Sequence, residues 1–285
     1  MPPQLVEDLV DRIHKAEGLD VVAKPLSKAV ARAIPHGLLK DLLSGTWLGH
    51  PLHPMLTDVA IGSWTSAFVI DAIGHERGEA AADSLIGVGV VSALPTAVAG
   101  LSDWSDLMGA ERRVGLVHAG ANIVAVGFYG LSWLARRDGR RSRGVALSLV
   151  GATVATVGGY LGAHLSYRQG VNVDRNAWDE GVDEWVDAVD EGELAHGQPV
   201  AAQAGEANIL LVREGSTIHA IGDVCGHAGG PLHEGELDDG CITCPWHAST
   251  FRLSDGAVVH GPATAPQPVY DTRVEGGKVQ VRSRG

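Results

Sequence analysis

The stretch from Cys225 to His247, CGHAGGPLHEGELDDGCITCPWH, decides the fold of the C-terminal third of this sequence. It begins with Cys225-x-His227 and ends with Cys244-x-x-His247, and residues 228–243 separate the two pairs. Glycine or proline stands inside each pair, which is typical of loops. Two thiols and two imidazoles carried on two loops predict a site for a metal ion or a metal cluster.

The residues around this stretch are typical of short β-strands closed by tight turns. The turn pairs are Glu214-Gly215, Asp255-Gly256 and Gly276-Gly277. The strand-like segments are ILLVREG (209–215), STIHAIG (216–222), GCITCP (240–245), ASTFRLSDGAVVHG (248–261), PVYDTRV (268–274) and KVQVRS (278–283). We therefore predict an all-β domain over residues 183–285.

Two kinds of site use these ligand types. A Cys₂His₂ zinc site is one, but zinc fingers more often use C-x-x-C and H-x₃₋₅-H pairs, whereas each half here mixes one Cys with one His. The text CGHAGGPLHEG and CPWHASTF, followed by a Gly-Pro-Ala segment, resembles the Rieske ferredoxin family over about residues 183–284. The resemblance implies a [2Fe–2S] cluster in which one iron takes two Cys and the other two His. Its ligands would be Cys225, His227, Cys244 and His247.

The departures from that family also carry information. Quinol-oxidising Rieske proteins have a further cysteine on each loop, and the matching positions here are Gly230 and Trp246. Ser249 matches a serine that hydrogen-bonds a cluster sulfur in the family. Phe251 stands where the quinol-oxidising proteins have a tyrosine whose hydroxyl raises the potential. Without that donor we expect a soluble-ferredoxin type of cluster with a lower potential. Cys241 fits neither role and is expected to be a small buried residue in a strand.

The rest of the composition excludes several classes of protein. A formal net charge of −12 argues against nucleic-acid binding, which calls for a basic patch. The three cysteines all lie between positions 225 and 244, and an odd number in one cluster is a poor disulfide framework. Residues 1–45 predict an amphipathic leader and residues 174–182 a linker, and an acidic stretch extends from 179 to 193.

Four apolar runs occupy the region between leader and linker, at residues 55–73, 84–101, 114–135 and 144–167. Each has roughly the 17–25 residues that a helix needs to cross a bilayer. Residues 46–173 therefore predict an all-α four-helix transmembrane bundle, followed by the all-β Rieske-type domain. The glycines in these runs suit close packing of helices in lipid. Residues 45–173 also resemble an uncharacterised family of bacterial four-helix membrane proteins, on the segments WLGHPLHP (47–54), GLSDW (100–104) and GGYLGAHLSYRQGV (158–171).

Several ionisable residues fall near one end of the predicted bundle, because consecutive spans alternate in direction. They are His50, His53, Asp58, Asp103, His118 and His164. Ionisable groups in a membrane are costly and are functional candidates by default. The layer suits haem, a metal ion or a quinone head group. A purely structural role, in which the groups cap helix ends and hydrogen-bond across the bundle, has equal standing at this point.

Three functions agree with this organisation. The first is a membrane-anchored carrier of single electrons between a redox partner and a partner protein or a site in the bundle. The second is an oxidoreductase whose bundle binds haem, metal or quinone and uses the cluster as its electron port. The third is a redox sensor. We expect a multi-pass protein of the bacterial cytoplasmic membrane in contact with lipid, and the sequence permits an oligomer. The basic connector 136–143 favours a cytoplasmic position for that loop, which places the cluster domain outside.

Overall fold

The computed structural model describes residues 4–284, which form two compact units. The helical unit contains the chain up to Ile34 and Leu52–Val171, and the β unit contains Pro35–Pro51 together with the chain from Asn172 onward. The sequence analysis divided the chain differently, because it assigned residues 35–51 to the leader and the bundle. That segment joins the β unit because Asp41 and Thr46 hydrogen-bond to the loop at residues 260–263.

The helical unit confirms the predicted four-helix arrangement. In chain order the helices of the protein are α1 (Gln4–Lys15), α2 (Asp20–Ala33), α3 (Leu38–Ser44), α4 (Leu52–Ile73), α5 (His75–Ser105), α6 (Gly109–Arg137) and α7 (Arg141–Gln169), of which α3 belongs to the β unit. The last four are long and apolar enough to cross a membrane. Each continues beyond the apolar run that predicted it, because helical hydrogen bonding extends into the polar flanking residues.

Glycines in these helices receive ring side chains from neighbouring helices. Trp64 of α4 stacks on Tyr129 of α6 with ring centroids 4.0 Å apart. A Cβ atom on Gly89 would collide with the indole of Trp64, and one on Gly87 would lie 2.8 Å from the indole of Trp133. The predicted close packing at glycine is therefore present, with aromatic rings filling the space that the missing side chains leave.

The β unit is an antiparallel fold of two sheets. The strands are β1 (Val186–Asp190), β2 (Val200–Ala204), β3 (Ala207–Glu214), β4 (Thr217–Gly222), β5 (Glu236–Asp238), β6 (Cys241–Thr243), β7 (Thr250–Arg252), β8 (Val258–His260), β9 (Val269–Glu275) and β10 (Lys278–Ser283). The larger sheet has the order β1-β10-β9-β4-β3-β2, and the smaller has the order β5-β6-β7-β8. The predicted turn pairs close the hairpins β3–β4, β7–β8 and β9–β10.

Part of the acidic stretch at residues 179–193 forms a strand, in the region predicted as the all-β domain. β1 lies within it and pairs antiparallel with β10, with Val186 opposite Val281 and Val189 opposite Val279. Asp187 and Asp190 alternate with these valines and are exposed. Charged side chains on an edge strand discourage pairing with another chain, so the acidic composition that hid the strand in the sequence has a use in the fold.

Candidate metal centre

The two loops that carry the predicted ligands share one backbone hydrogen-bonding pattern. In the first loop Cys225 N donates to Gly230 O, and Gly229 N donates to Cys225 O. In the second loop Cys244 N donates to Ser249 O, and Ala248 N donates to Cys244 O. Each loop is thus closed from residue i to residues i+4 and i+5. Both ligand pairs therefore lie on loops, as predicted, and the two loops have the same backbone hydrogen bonds.

Position i+4 of each loop has a left-handed backbone. Gly229 has a φ of +83° and Ala248 a φ of +58°. Glycine adopts this conformation without strain, whereas a residue with a Cβ atom rarely does. The second loop therefore holds Ala248 in an unfavoured conformation that the hydrogen bonds around it maintain.

The cysteines lie inside the site and the histidines towards its surface. Cys225 and Cys244 are buried, and neither forms a disulfide. His227 and His247 are half-buried, and their ring centroids lie 5.0 Å apart at nearly a right angle. The donor set therefore falls into a buried thiol pair and a more accessible imidazole pair.

The electrostatics of the two thiols follow from the loop geometry. The hydrogen bond between the two thiols raises the pKa of Cys225 and lowers the pKa of Cys244 to about 7. Burial opposes the shift at Cys244, and the backbone N–H groups of Trp246 and His247 support it. The corresponding N–H groups of His227 and Ala228 also lower the pKa of Cys225, against the larger effect of Cys244. Each sulfur position is thus served by the N–H groups of residues i+2 and i+3, which stabilise negative charge there.

The residues predicted around the ligands occupy distinct places. A Cβ atom on Gly230 would lie 2.8 Å from the sulfur of Cys244 and 3.1 Å from Trp246, so the first loop packs closely on the second. Trp246 is half-exposed, and its ring centroid lies 6.5 Å from that of His247. Phe251 is fully buried in the core beside the loops. Ser249 is also buried, and its hydroxyl oxygen accepts a hydrogen bond from Ala263 N at 3.0 Å.

Two further residues lie between the ligand pairs in the sequence. His233 is structural, since its Nδ1 lies 2.7 Å from a carboxylate oxygen of Asp223 while its backbone N donates to the other oxygen. Cys241 lies in strand β6 as expected but is only partly buried. Burial and the nearby acidic side chains raise the pKa of its thiol, although Arg252 opposes them.

Two segments distant in sequence hold the first cluster loop and the neighbouring loop at residues 260–263, and the sequence analysis missed both. Residues 172–177 lie against the first loop, where Arg175 N donates to Gly226 O and the amide of Asn176 donates to Val224 O. Residues 41–46 lie against the loop at 260–263. Residues 41–45 had been assigned to the leader, residues 46 and 172–173 to the bundle, and residues 174–177 to the linker. Asp174-x-Asn176 carries an Asx-type turn signal, but nothing in the sequence indicates its partner.

The structure brings together only part of the predicted histidine layer in the helical unit. His53 of α4 and His118 of α6 lie with ring centroids 6.3 Å apart. His164 instead lies beside His14 of α1, at 5.3 Å. Asp58 is exposed, and His50 belongs to the β unit. Of the four predicted histidines the structure therefore brings together His53 and His118, because His50 belongs to the other unit and His164 lies beside α1. Asp103 is partly buried in α5.

Each histidine of this pair is held by its Nδ1 atom and by a glycine. His53 Nδ1 lies 2.9 Å from Thr96 O, and His118 Nδ1 lies 2.8 Å from Gly158 O. A Cβ atom on Gly100 would lie 2.7 Å from the ring of His53, and one on Gly162 would lie 2.9 Å from the ring of His118. When Nδ1 donates to a carbonyl, Nε2 becomes the nitrogen that can accept a hydrogen bond or bind a metal. His118 Nε2 lies 3.2 Å from the amide of Asn122.

The comparisons with known proteins separate the two units. A profile of the Rieske [2Fe–2S] domain matches residues 184–271, and a profile described as a predicted membrane protein (DUF2231) matches residues 49–175. The anthranilate 1,2-dioxygenase ferredoxin subunit of Burkholderia cepacia is 36% identical over 100 residues, which are 34% of this chain and 91% of that protein. Human apoptosis-inducing factor 3 is 34% identical over 91 residues, which are 32% of this chain and 15% of the relative's length.

A solved structure shows the same coverage. The ferredoxin of carbazole 1,9a-dioxygenase from Nocardioides aromaticivorans is 28% identical, with a TM-score of 0.34, and the match covers 36% of this chain and all of that one (100%). The relatives support an electron-transfer role for the β unit. Through that unit the chain belongs to the Rieske [2Fe–2S] family and carries its [2Fe–2S] cluster, joined to a domain that matches DUF2231.

Proposed function

We propose that this protein is a multi-pass membrane Rieske protein that passes single electrons between a redox partner and either a partner protein or a site in its helical unit. The [2Fe–2S] cluster supplies the one-electron chemistry, and Cys225, His227, Cys244 and His247 hold it. The observation that carries this proposal is the matched pair of loops, which present two buried sulfurs and two half-buried imidazoles.

The donor set fits a two-iron cluster better than one zinc ion. In the described part of the chain no three side chains of His, Cys, Asp or Glu converge as a single metal ion would require. The ligands instead fall into a sulfur pair and an imidazole pair, which suits one iron for each pair. The half-buried His227 and His247, which are more accessible than the sulfurs, then lie on the route by which an electron reaches a docked protein.

Electron paramagnetic resonance tests the ligand assignment. Reduced protein should give the low-average-g signal of a mixed Cys/His cluster, and His247→Cys should alter it. His219→Gln is the control, since His219 lies in β4 beside Glu214, and it should leave the signal unchanged. Because Phe251 replaces the tyrosine, we expect a midpoint in the lower part of the roughly −150 to +300 mV Rieske range. Stoichiometric zinc without iron in fresh protein would contradict the proposal.

Membrane insertion has its own test. Four spans place both ends of the bundle on one side, so reporters fused at Gly139 and at the C-terminus should lie on opposite sides. The arginines of the connector 136–143 favour a cytoplasmic position for Gly139. Reporters on the same side would show that one of the four helices does not cross.

The His53–His118 pair favours a second candidate function, in which the helical unit binds haem or a quinone and the protein is an oxidoreductase. Two imidazoles from different helices, each fixed through Nδ1, are an arrangement that supports an axial or hydrogen-bonded ligand. The visible spectrum of purified protein distinguishes the candidates. A haem Soret band lost in His118→Ala but kept in His164→Ala would support the oxidoreductase, whereas cluster absorption alone would support the carrier.

A further inference from the structure

Helix α3 has its polar and apolar faces reversed relative to a helix of a soluble protein. Asp41 is partly buried and hydrogen-bonded within the β unit, and Ser44 is buried. The opposite face consists of Leu38, Leu39 and Leu42, which are 84%, 47% and 53% exposed, and Trp47 after the helix is 63% exposed. Surface helices of soluble proteins bury the apolar stripe and expose the polar one. We call Leu38, Leu39, Leu42 and Trp47 the leucine face.

The inward side of the same segment is fixed to the loop beside the cluster. Gly261 N donates to one carboxylate oxygen of Asp41 at 2.7 Å, and His260 Nδ1 lies 2.9 Å from the other. Thr46 Oγ1 donates to Ala263 O at 3.2 Å. Ala263 N in turn donates to the hydroxyl of Ser249, whose carbonyl accepts from Cys244 N. A position imposed on α3 is therefore passed by direct hydrogen bonds to the second cluster loop.

Covalent continuity indicates what covers the leucine face. The first apolar helix begins at Leu52, and Trp47 precedes it by five residues, which span at most about 17 Å when fully extended. After the last apolar helix ends at Gln169, the chain re-enters the β unit at Asn172. The β unit is thus connected to the bundle at two points, and four spans bring both points to the same side of a membrane. A leucine and tryptophan surface this close to a span fits the interfacial layer of lipid.

We propose that the leucine face lies in the interfacial layer of a lipid bilayer and holds the loop at residues 260–263, with the cluster beside it, at the membrane surface. The proposal rests on the proposed membrane insertion of the helical unit. Side chains of this kind gain free energy on leaving water, at roughly 25 cal/mol per Å² of apolar surface. The leucine face therefore sets the height and the orientation of the β unit above the bilayer.

Site-directed spin labelling tests this proposal on the full-length protein in lipid nanodiscs. A nitroxide is attached at Leu42→Cys, and separately at Val274→Cys as the control, since Val274 is 45% exposed at the end of β9. Both variants carry Cys241→Ser, because Cys241 is a partly exposed free thiol outside the ligand set. The label at position 42 should relax faster with oxygen than with a water-soluble nickel chelate, and the label at 274 should show the reverse.

Two outcomes of this experiment would contradict the proposed lipid contact. A label at position 42 that behaves like the one at 274 would overturn the proposal, because the face would then be in water. A label shielded from both reagents would also overturn it, in favour of a protein surface such as a second copy of the chain. The cluster signal recorded on the same samples reports the proposed function separately, so loss of that signal does not mimic loss of lipid contact.

Discussion

The two ends of the helical unit handle buried polar groups in opposite ways. At one end the side chain of Arg136 is fully buried and forms ion pairs with Asp71 and Asp83. Arg141 forms ion pairs with the same two carboxylates and with Glu79. At the other end the polar pair is His53 and His118, each of which uses one ring nitrogen on a backbone carbonyl. The first end consists of full charges that satisfy one another. The second consists of imidazoles held by backbone carbonyls and, at His118, also by the amide of Asn122. It is the end to which the second candidate function assigns a ligand.

Helix connectivity accounts for the charged end. Asp71 lies near the end of α4, Asp83 in the early part of α5, Arg136 at the end of α6 and Arg141 at the start of α7. These four positions meet at one end of any antiparallel bundle. Breaking a buried ion pair by removing one partner is strongly destabilising, because the remaining charge stays buried. The network therefore fixes how the four helices meet.

The largest effect is expected from Arg136→Met. The change leaves Asp71 and Asp83 with Arg141 as their shared cation, and we expect the bundle to lose about 3–5 kcal/mol of stability. Thermal loss of helical circular dichroism in detergent measures it. Arg140→Gln is the control, because the Arg140–Asp138 pair is more than half exposed and should be worth about 0–1 kcal/mol. Equal stability of the two variants would show that the buried ion pairs of Arg136 do not stabilise this end of the bundle.

A smaller effect is expected from Gly162→Ala at the histidine end. The new Cβ atom would lie 2.9 Å from Cε1 of His118, so the ring must move. Overpacking of this kind costs about 1–3 kcal/mol, of which the helix preference of alanine returns at most about 1 kcal/mol. Gly159→Ala on the same helix is the matched control, since its Cβ atom would meet open space. If both variants unfold at the same temperature, the absence of a side chain at Gly162 is not needed to accommodate the ring of His118.

The smallest stability effect is expected from His118→Ala. The variant loses the hydrogen bond to Gly158 O and the longer contact with the amide of Asn122. One hydrogen bond is worth about 0.5–1.5 kcal/mol, and the Gly158 carbonyl keeps its partner within α7. Stability should thus change far less than in Arg136→Met, while transfer of electrons into the helical unit is impaired and the cluster signal remains. His164→Ala, at the same end but beside His14, should retain the transfer. A large fall in melting temperature in His118→Ala would instead show that the His53–His118 pair stabilises the bundle, as Arg136 does.

The sequence predicted both the four helices and the hairpins because their signals are local. Long uncharged runs and turn pairs such as Gly276-Gly277 depend on neighbouring residues. The cluster loops were predictable for the same reason, since each ligand pair is complete within a few residues. By contrast, the contacts of Asp41 with Gly261 and of Asn176 with Val224 join positions far apart in the chain. A single sequence holds no signal for such pairs, so segments that hold the site were assigned to a leader and a linker.

The histidine layer was half predicted for a related reason. Counting residues along each helix gives depth, and it placed His53 and His118 at one level, where the structure has them. Depth does not give the direction in which a side chain points, and this is where Asp58 and His164 departed from expectation. Direction depends on how each helix is rotated in the bundle. That rotation follows from ring-into-glycine contacts, such as Trp64 on Gly89, which involve different helices.

The division of the β unit between two stretches of chain sets the order in which the protein can be made. Residues 35–51 leave the ribosome before any of the four apolar helices, and their partners at residues 260–263 leave it after the last. The contact between Asp41 and Gly261 spans 220 residues, and contacts of such long sequence separation form late. The α3 segment therefore waits without its partner while the bundle is inserted. It completes the β unit only once residues 260–263 have been synthesised, which makes this docking a late step in biogenesis.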